Sequence, residues 1–398
     1  MKPFKLYGMP ASLYTGKVRA YLRKHKIPFV EYGMNHPDFQ GRIVPAVGRV
    51  IVPVIETPDG TIVQDGADIL EFLDRNGWGS FSIYPEDPRL LSIAYLFELF
   101  GGEGLLRPAM HYRWNFNEEN LDFIRDEFIC ALAPVGGDTA EAEGIFDFAS
   151  QRMRKAGADF GVTPESIPLI EQSYRQFLSL FNAHLEKHSY LLGGQPTVGD
   201  YGLFSALYAH LARDPAPALL MRKLAPRVGR WVERMNSPES AWVEYPEDES
   251  LISAENIPNT LKALMGYVAE EYLEEISAHV QFANQWIADH PTLKAGEIGL
   301  EKPGGRFIGT ASFAWRGIKL ETTVMPYRFY LLQRVQDCLF SVDKSMRDSI
   351  TQQFRENGLE QLLELRTQRR VKRSNHLEHW GELIPETKTA LGSQESVS

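Results

Sequence analysis

The sequence predicts an α/β domain at the amino terminus, then an all-helical domain, and then an additional mostly helical region with a β-hairpin. Three observations support this prediction. Short apolar runs alternate with helical patterns over residues 1–80. Helical spacing of apolar residues continues alone over residues 88–240, and a strand-like pair at about 306–325 interrupts a third helical region, 256–390. Residues 391–398 are predicted to be a disordered tail.

The first 80 residues begin as a βαβ unit. The strand-like runs PFKLY and PFVEY (28–32) flank the helical pattern TGKVRAYLRKHK. The runs Val50–Ile55 and Thr61–Val63 flank the turn signal TPDG, which predicts a hairpin, and another helical pattern follows. Pro53 cannot donate a hydrogen bond to a sheet ladder, so we expect it at a strand start or a sheet edge.

The two later regions carry their own local signals. In LLGGQPTVGDYGLF, Thr197 followed at i+3 by Asp200 predicts a capped helix. Residues LKALMGYVAEEYLEEISAHVQFANQWIADH predict one long helix, and PYRFYLLQRVQDCLFSV predicts another that begins at a first-turn proline. The segment LRTQRRVKRSNH is predicted to be a solvated or salt-bridged helix face, from its basic residues Arg366, Arg369, Arg370, Lys372 and Arg373.

Composition limits the classes of function. The chain has 398 residues with a net charge of −10, which argues against a nucleic-acid partner. Its two cysteines, Cys130 and Cys338, form no disulfide scaffold and cannot supply a zinc site by themselves. The sequence shows neither a secretion signal nor a membrane span, so we expect a soluble cytoplasmic protein without a metal.

Three motifs, taken in order, resemble the cytosolic glutathione S-transferase (GST) family. LYGMPASLYTGKVRAYL is similar to its first strand, active-site loop and first helix. VIVPVIETPDGTIVQDGADILEFL is similar to its proline-bearing strand, hairpin and following helix. YLLGGQPTVGDYGLF is similar to its capped buried helix. The resemblance covers residues 1–240, roughly 60% of the chain, and leaves 241–398 unassigned.

The resemblance implies a thioredoxin-like glutathione-binding domain at 1–80 and an all-α GST C-terminal domain at 88–240. It also implies glutathione as cosubstrate, a small hydrophobic or aromatic electrophile as second substrate, and a homodimer. The alternative is a non-catalytic GST-like scaffold whose C-terminal region binds a protein partner.

Ser12 is the candidate for stabilising the glutathione thiolate. In serine-type members of the family the hydroxyl stands a fixed distance before the helix segment that matches Lys17–Arg19, and counting back gives Ser12. The competing interpretation is a plain helix N-cap, the commonest use of serine at such a position. Tyr14 is the runner-up and Tyr7 a weaker candidate, whereas Thr15 is interpreted as a helix cap.

The resemblance also assigns residues to the rest of glutathione. A cis Pro53 would present the backbone of Val52 to the cysteinyl part. Asp65 would accept from the γ-glutamyl ammonium, and Gly66 stands where the family has a serine, so one hydrogen bond of ~0.5–1.5 kcal/mol is lost there. Position 12 is serine, not cysteine, which disfavours thiol-transfer chemistry.

The acceptor substrate would lie between the two domains. The run LLRPAMHYRWNF follows the first long helix of the second domain, and its Met110, His111 and Trp114 are candidates for lining this pocket. The alternative is an interdomain packing cluster, because mixed aromatic runs are usually core.

Overall fold

A computed structural model describes residues 2–239, 244–245, 250–300 and 305–384. The first domain holds a four-stranded sheet in the order β2-β1-β3-β4. Strands β1 and β2 are parallel, and β3 runs antiparallel to both β1 and β4. The elements are β1 (Phe4–Tyr7), α1 (Leu13–Lys24), β2 (Phe29–Tyr32), a π-helical turn (Phe39–Ile43), α2 (Val44–Val47), β3 (Val54–Glu56), β4 (Ile62–Gln64) and α3 (Gly66–Arg75).

The second region is helical, as predicted. A second π-helical turn, Phe100–Gly104, follows its first helix directly. The helices are α4 (Pro88–Leu99), α5 (Leu106–Trp114), α6 (Asn117–Leu132), α7 (Thr139–Asp159), α8 (Ile167–His184), α9 (Val198–Ala209), α10 (Pro215–Leu224) and α11 (Pro226–Met235). The capping box at the start of α9 is confirmed, with Thr197 N donating to Asp200 at 2.9 Å.

The third region confirms the long helix and the predicted hairpin. Its elements are α12 (Asn259–Asp289), β5 (Gly309–Trp315), β6 (Ile318–Val324), α13 (Pro326–Asp337), α14 (Lys344–Arg355), α15 (Glu360–Glu364), β7 (Arg369–Ser374) and β8 (Leu377–Leu383). The fold class is therefore the predicted one. The predicted disordered tail, 391–398, lies outside the described residues.

The prediction of a basic helix face at 366–373 is wrong. These residues enter a second hairpin, β7–β8, whose turn holds Asn375 and His376 at φ of 49° and 67°. Asparagine accepts such left-handed conformations better than most residues. The strands present Val371 and Trp380 to the interior, each 2% exposed, and this burial favours strand over helix.

One hydrophobic core runs through all three regions. It joins Leu6 of β1 and Phe97 of α4 to Val268 of α12 and Trp380 of β8. Helix α13 packs directly on α4, so the third region is attached along the side of the first two domains. Among the helices that the structure describes, none combines the length and apolar character that a membrane span needs.

Two buried histidines make stability depend on pH. Burial lowers the pKa of His25 and of His184 from 6.5 to about 4. At these two residues the unfolded chain therefore binds more protons than the folded one between pH 6.5 and 4, so their contribution to the free energy of unfolding falls as the pH falls. We expect a loss of up to about 3 kcal/mol per histidine across this window, measured by urea unfolding at several pH values.

A His184→Gln variant isolates one of these contributions. The side chain of His184 contacts Thr260 Oγ1 and the Leu191 carbonyl, both at 2.9 Å. Glutamine does not titrate, so the variant should show a shallower pH slope, whatever its stability at pH 7. An identical slope in both proteins would contradict the assignment.

Candidate functional site

Ser12 lies where the chain leaves β1 and enters α1. Its backbone is extended, with φ −82° and ψ 127°, and its Oγ accepts from Thr15 N at 3.3 Å. Ser12 is thus the N-cap of α1, and the predicted role of Thr15 as the cap is not what the structure shows. The capping bond uses a lone pair of the oxygen, so the hydroxyl proton of the half-buried Ser12 can still be donated to a ligand.

Two buried guanidinium groups fix the loop before Ser12. Arg19 donates to the carbonyl of Met9 at 3.3 Å, and Arg113 donates to the carbonyl of Ala11 at 2.8 Å. Each arginine is also paired with a carboxylate, at 2.6 and 2.7 Å. Because both side chains are at least 96% buried, the loop that carries Ser12 is held rigidly.

The hydroxyl groups of the two candidate tyrosines are already engaged. The hydroxyl of Tyr14 donates to Glu103 Oε1 at 3.1 Å and lies 3.2 Å from the Gly102 carbonyl. Burial and the Glu103 carboxylate raise the pKa of Tyr14 well above its usual value. The hydroxyl of Tyr7 lies 3.3 Å from Glu56 and accepts from Arg42 at 3.2 Å. This geometry favours Ser12 over both tyrosines as a donor to a ligand.

The Val52–Pro53 peptide bond is cis, as the resemblance implied. It precedes β3, and the N–H of Asp65 donates to the Pro53 carbonyl at 3.3 Å. The backbone N–H and C=O of the half-buried Val52 make no hydrogen bond with another described residue. These two groups are therefore available to pair with an extended peptide.

Asp65 and Gly66 begin α3. Asp65 has a φ of 90°, a conformation rare for a residue with a side chain, and its carboxylate accepts from Ala67 N at 2.9 Å. Backbone strain of this kind is concentrated at functional sites. A Cβ on Gly66 would lie 3.4 Å from Lys17 Cδ, an ordinary contact. The space for a serine is thus present although the serine is not.

The third region covers this end of the site. Tyr327 donates its hydroxyl proton to Asp65 Oδ1 at 2.9 Å, and Tyr330 donates to Asp68 Oδ1 at 2.8 Å. Arg373 donates to Asp68 Oδ2 and to Gln64 Oε1, both at 2.8 Å. Asp65, the acceptor expected for a ligand's ammonium, therefore already accepts a hydrogen bond from Tyr327 through Oδ1, and its neighbours Gln64 and Asp68 are bound by Arg373 and Tyr330.

The hairpin β7–β8 also reaches the end of α2. Both terminal nitrogens of Arg49 lie 3.0 Å from Glu378 Oε2, and Glu378 pairs with Arg373 as well. A Cβ on Gly48 would stand 4.0 Å from Leu377 Cδ1, so the hairpin lies directly against this turn. Sequence analysis did not place Arg49, Tyr327, Arg373 and Glu378 near this site, because the contacts that bring them there join residues hundreds of positions apart.

The three candidates for the acceptor pocket do not form one surface. Met110 and Trp114 are about 95% buried and pack with Met9 and Ala11, beneath the Ser12 loop. The ring of His111 lies 3.2 Å from a Glu171 oxygen, and burial lowers its pKa. This arrangement fits the packing alternative better than an open pocket.

Two family models match the chain. Residues 6–79 match the N-terminal domain of glutathione S-transferase, and residues 164–234 match its C-terminal domain. These two segments are glutathione S-transferase domains. Helix α13 and the β7–β8 hairpin, which contact Asp65 and Asp68, lie outside both matched ranges.

Solved structures similar to this chain are distant from it in sequence. They include a glutathione S-transferase from Methylobacterium radiotolerans in complex with glutathione sulfonate (17% identity, 60% of this chain and 92% of that one, TM-score 0.35). Another is the beta-etherase LigF from Sphingobium sp. (18%, 60% and 97%, 0.42). A third is the glutathione transferase GSTFuA3 from Phanerochaete chrysosporium (17%, 61% and 100%, 0.42). No curated protein is significantly similar to the chain.

Proposed function

We propose that the protein is a glutathione-dependent transferase, in which Ser12 stabilises the glutathione thiolate for attack on a small hydrophobic electrophile. The observation that carries this proposal is the geometry of the Ser12 loop. A hydroxyl with a free proton stands at the N-terminus of α1, on a loop held by two buried arginines. The backbone groups of Val52, which bond to no other described residue, support the same assignment.

The chemistry requires an ionised sulfur. A free thiol has a pKa of about 8.5, and only the thiolate is nucleophilic. Lowering this pKa by ~2 units takes about 2.7 kcal/mol. One hydroxyl donor to an anion contributes ~1.5–3 kcal/mol, and the positive end of α1 adds to it. The thiol proton goes to solvent, a carbon–sulfur bond forms, and the electrophile's leaving group departs with its electron pair.

The remaining roles follow the parts of the tripeptide. In this proposal the backbone of Val52, preceding Pro53, pairs with the cysteinyl unit. Asp65 accepts from the γ-glutamyl ammonium, and the first N–H groups of α3, beginning at Gly66, face its carboxylate. We place these roles in a domain spanning residues 1–80, with 88–240 as the helical domain and 256–390 as the extension.

A second function, a non-catalytic scaffold, is supported by a different observation. Tyr327, Tyr330 and Arg373 already occupy the polar groups of the glutamyl end. In that case the extension would be the functional part, and it would bind a protein partner. A cytoplasmic location fits both proposals, whereas the homodimer belongs only to the family expectation.

Titration calorimetry with reduced glutathione decides between the two. The transferase proposal expects binding with sub-millimolar to millimolar affinity, weakened by the missing serine hydroxyl at position 66. An absence of binding heat up to ~10 mM glutathione, for both the wild-type protein and the hairpin variant described below, would contradict it and favour the scaffold.

A further inference from the structure

The tip of the β7–β8 hairpin carries a cation and an anion side by side. Arg373 and Glu378 are directly opposite each other in the hairpin register and pair across it. Their side chains are only 4% and 10% exposed. The turn between them, at Asn375 and His376, has left-handed φ values at both residues, which brings the two strands tightly together.

The first domain presents the opposite charges to this tip. The guanidinium of Arg373 donates to the carboxylate of Asp68 and to the amide oxygen of Gln64, each at 2.8 Å. The guanidinium of Arg49 donates to the carboxylate of Glu378 at 3.0 Å. Asp68, Gln64 and Arg49 are near neighbours in the chain of Asp65 and Val52, whose backbone lines the proposed glutathione site.

Glutathione carries charges of both signs, as the hairpin tip does, with one carboxylate more. Its γ-glutamyl end bears an ammonium and a carboxylate, and its other end bears a second carboxylate. The ammonium needs acidic acceptors such as Asp68, and a carboxylate needs a guanidinium such as Arg49. The ammonium or carboxylate of the ligand cannot pair with Asp68 or Arg49 in the place where Arg373 or Glu378 is already bound.

We infer that the β7–β8 hairpin is an internal competitor of glutathione, which covers the site with Arg373 and Glu378 and is displaced when the tripeptide binds. This inference rests on the proposed glutathione-dependent function. Only the hairpin tip has to move. Helix α13 stays in place, because its Arg328 is 1% exposed and is bonded to Glu103 and Glu275.

The test compares three proteins by titration calorimetry with glutathione. The double variant Arg373→Ala/Glu378→Ala removes one charge of each sign and frees Arg49 and Asp68 Oδ2 for the ligand, while Tyr330 keeps its hydrogen bond to Asp68 Oδ1. Lys372→Ala, an exposed position on the same strand, is the matched control. The double variant should bind glutathione at least tenfold more tightly than the wild-type protein, and the control should bind as the wild type does.

The outcomes separate the inference from the function on which it rests. If the wild type binds glutathione and the double variant binds equally or more weakly, the competitor is wrong while the transferase proposal stands. If neither protein binds, the glutathione function itself fails, and the inference falls with it. Binding by the double variant alone supports the competitor.

A second measurement avoids the variants altogether. Amide hydrogen exchange of the wild-type protein should become faster over the tip, residues 373–378, at saturating glutathione, because the tip loses its partners. Exchange over α13 should stay unchanged. Slower or unchanged exchange over 373–378 with bound glutathione would mean that the hairpin does not move when glutathione binds, and it would overturn the inference.

Discussion

Replacing Arg328 with alanine is expected to lower the free energy of unfolding by about 3–5 kcal/mol, the usual effect of breaking a buried ion pair from one side. Arg328 donates to Glu103 Oε2 at 3.1 Å and to Glu275 Oε1 at 2.8 Å, with all three side chains at least 96% buried. Without it, Glu275 keeps its pair with Arg107 at 2.6 Å. Among the described residues, Glu103 then keeps the hydrogen bond from the Tyr14 hydroxyl and the charge of Arg306.

Urea unfolding followed by circular dichroism measures this loss. The matched control is Arg355→Ala, which breaks a solvent-accessible pair between Arg355 of α14 and Glu360 of α15 and should leave the unfolding midpoint unchanged. A loss below about 1 kcal/mol for Arg328→Ala would show that water replaces the guanidinium, so that the buried network does not hold the third region in place.

This network could not be predicted from the sequence, for a physical reason. Helix α13 carries Tyr327, Arg328, Tyr330 and Arg334 among its polar residues, and the first-turn proline predicted this helix. Periodicity tells which residues share a face, but a buried charge requires a partner, and the partners are on α3, α4 and α12 and in the π-helical turn after α4. No local pattern specifies contacts between elements so far apart in the chain.

The second hairpin was missed for a related reason. Strands are recognised by alternating apolar residues, and β7 contributes only Val371 to the core. Its charged residues are neutralised by distant groups instead: Arg370 pairs with Asp337, and Arg373 pairs with Asp68. A run of five basic residues therefore predicted a solvated or salt-bridged helix face. Two of its members do form ion pairs with acidic groups of other elements, but they do so from a strand.

Features with local causes were predicted well. The turn TPDG lies between β3 and β4, Pro53 stands just before β3 with a cis bond, and Asp200 caps α9. Each of these depends on residues within a few positions of one another. The same holds for the position of Ser12 at the start of α1. What covers the site depends on the tertiary fold, and the sequence motifs contain no information about it.

Ser12→Ala is expected to lower turnover of glutathione with an electrophilic aryl halide by tenfold or more. The alanine removes the one hydroxyl proton that the Ser12 loop can donate to the sulfur, and a charge-assisted hydrogen bond of ~1.5–3 kcal/mol corresponds to roughly 10- to 150-fold in rate. The pKa of bound glutathione, followed by thiolate absorbance against pH, should rise in the same variant, because the anion loses its donor.

Two further variants separate this role from capping. Ser12→Thr keeps both the hydroxyl and the cap of α1, so it should retain most of the turnover, whereas Ser12→Ala also loses the cap, at about 1 kcal/mol of stability. Tyr14→Phe should leave turnover unchanged, since the Tyr14 hydroxyl donates to Glu103. If Ser12→Ala turns over at the wild-type rate and Tyr14→Phe does not, the thiolate donor is Tyr14, and the buried bond to Glu103 must open when glutathione binds.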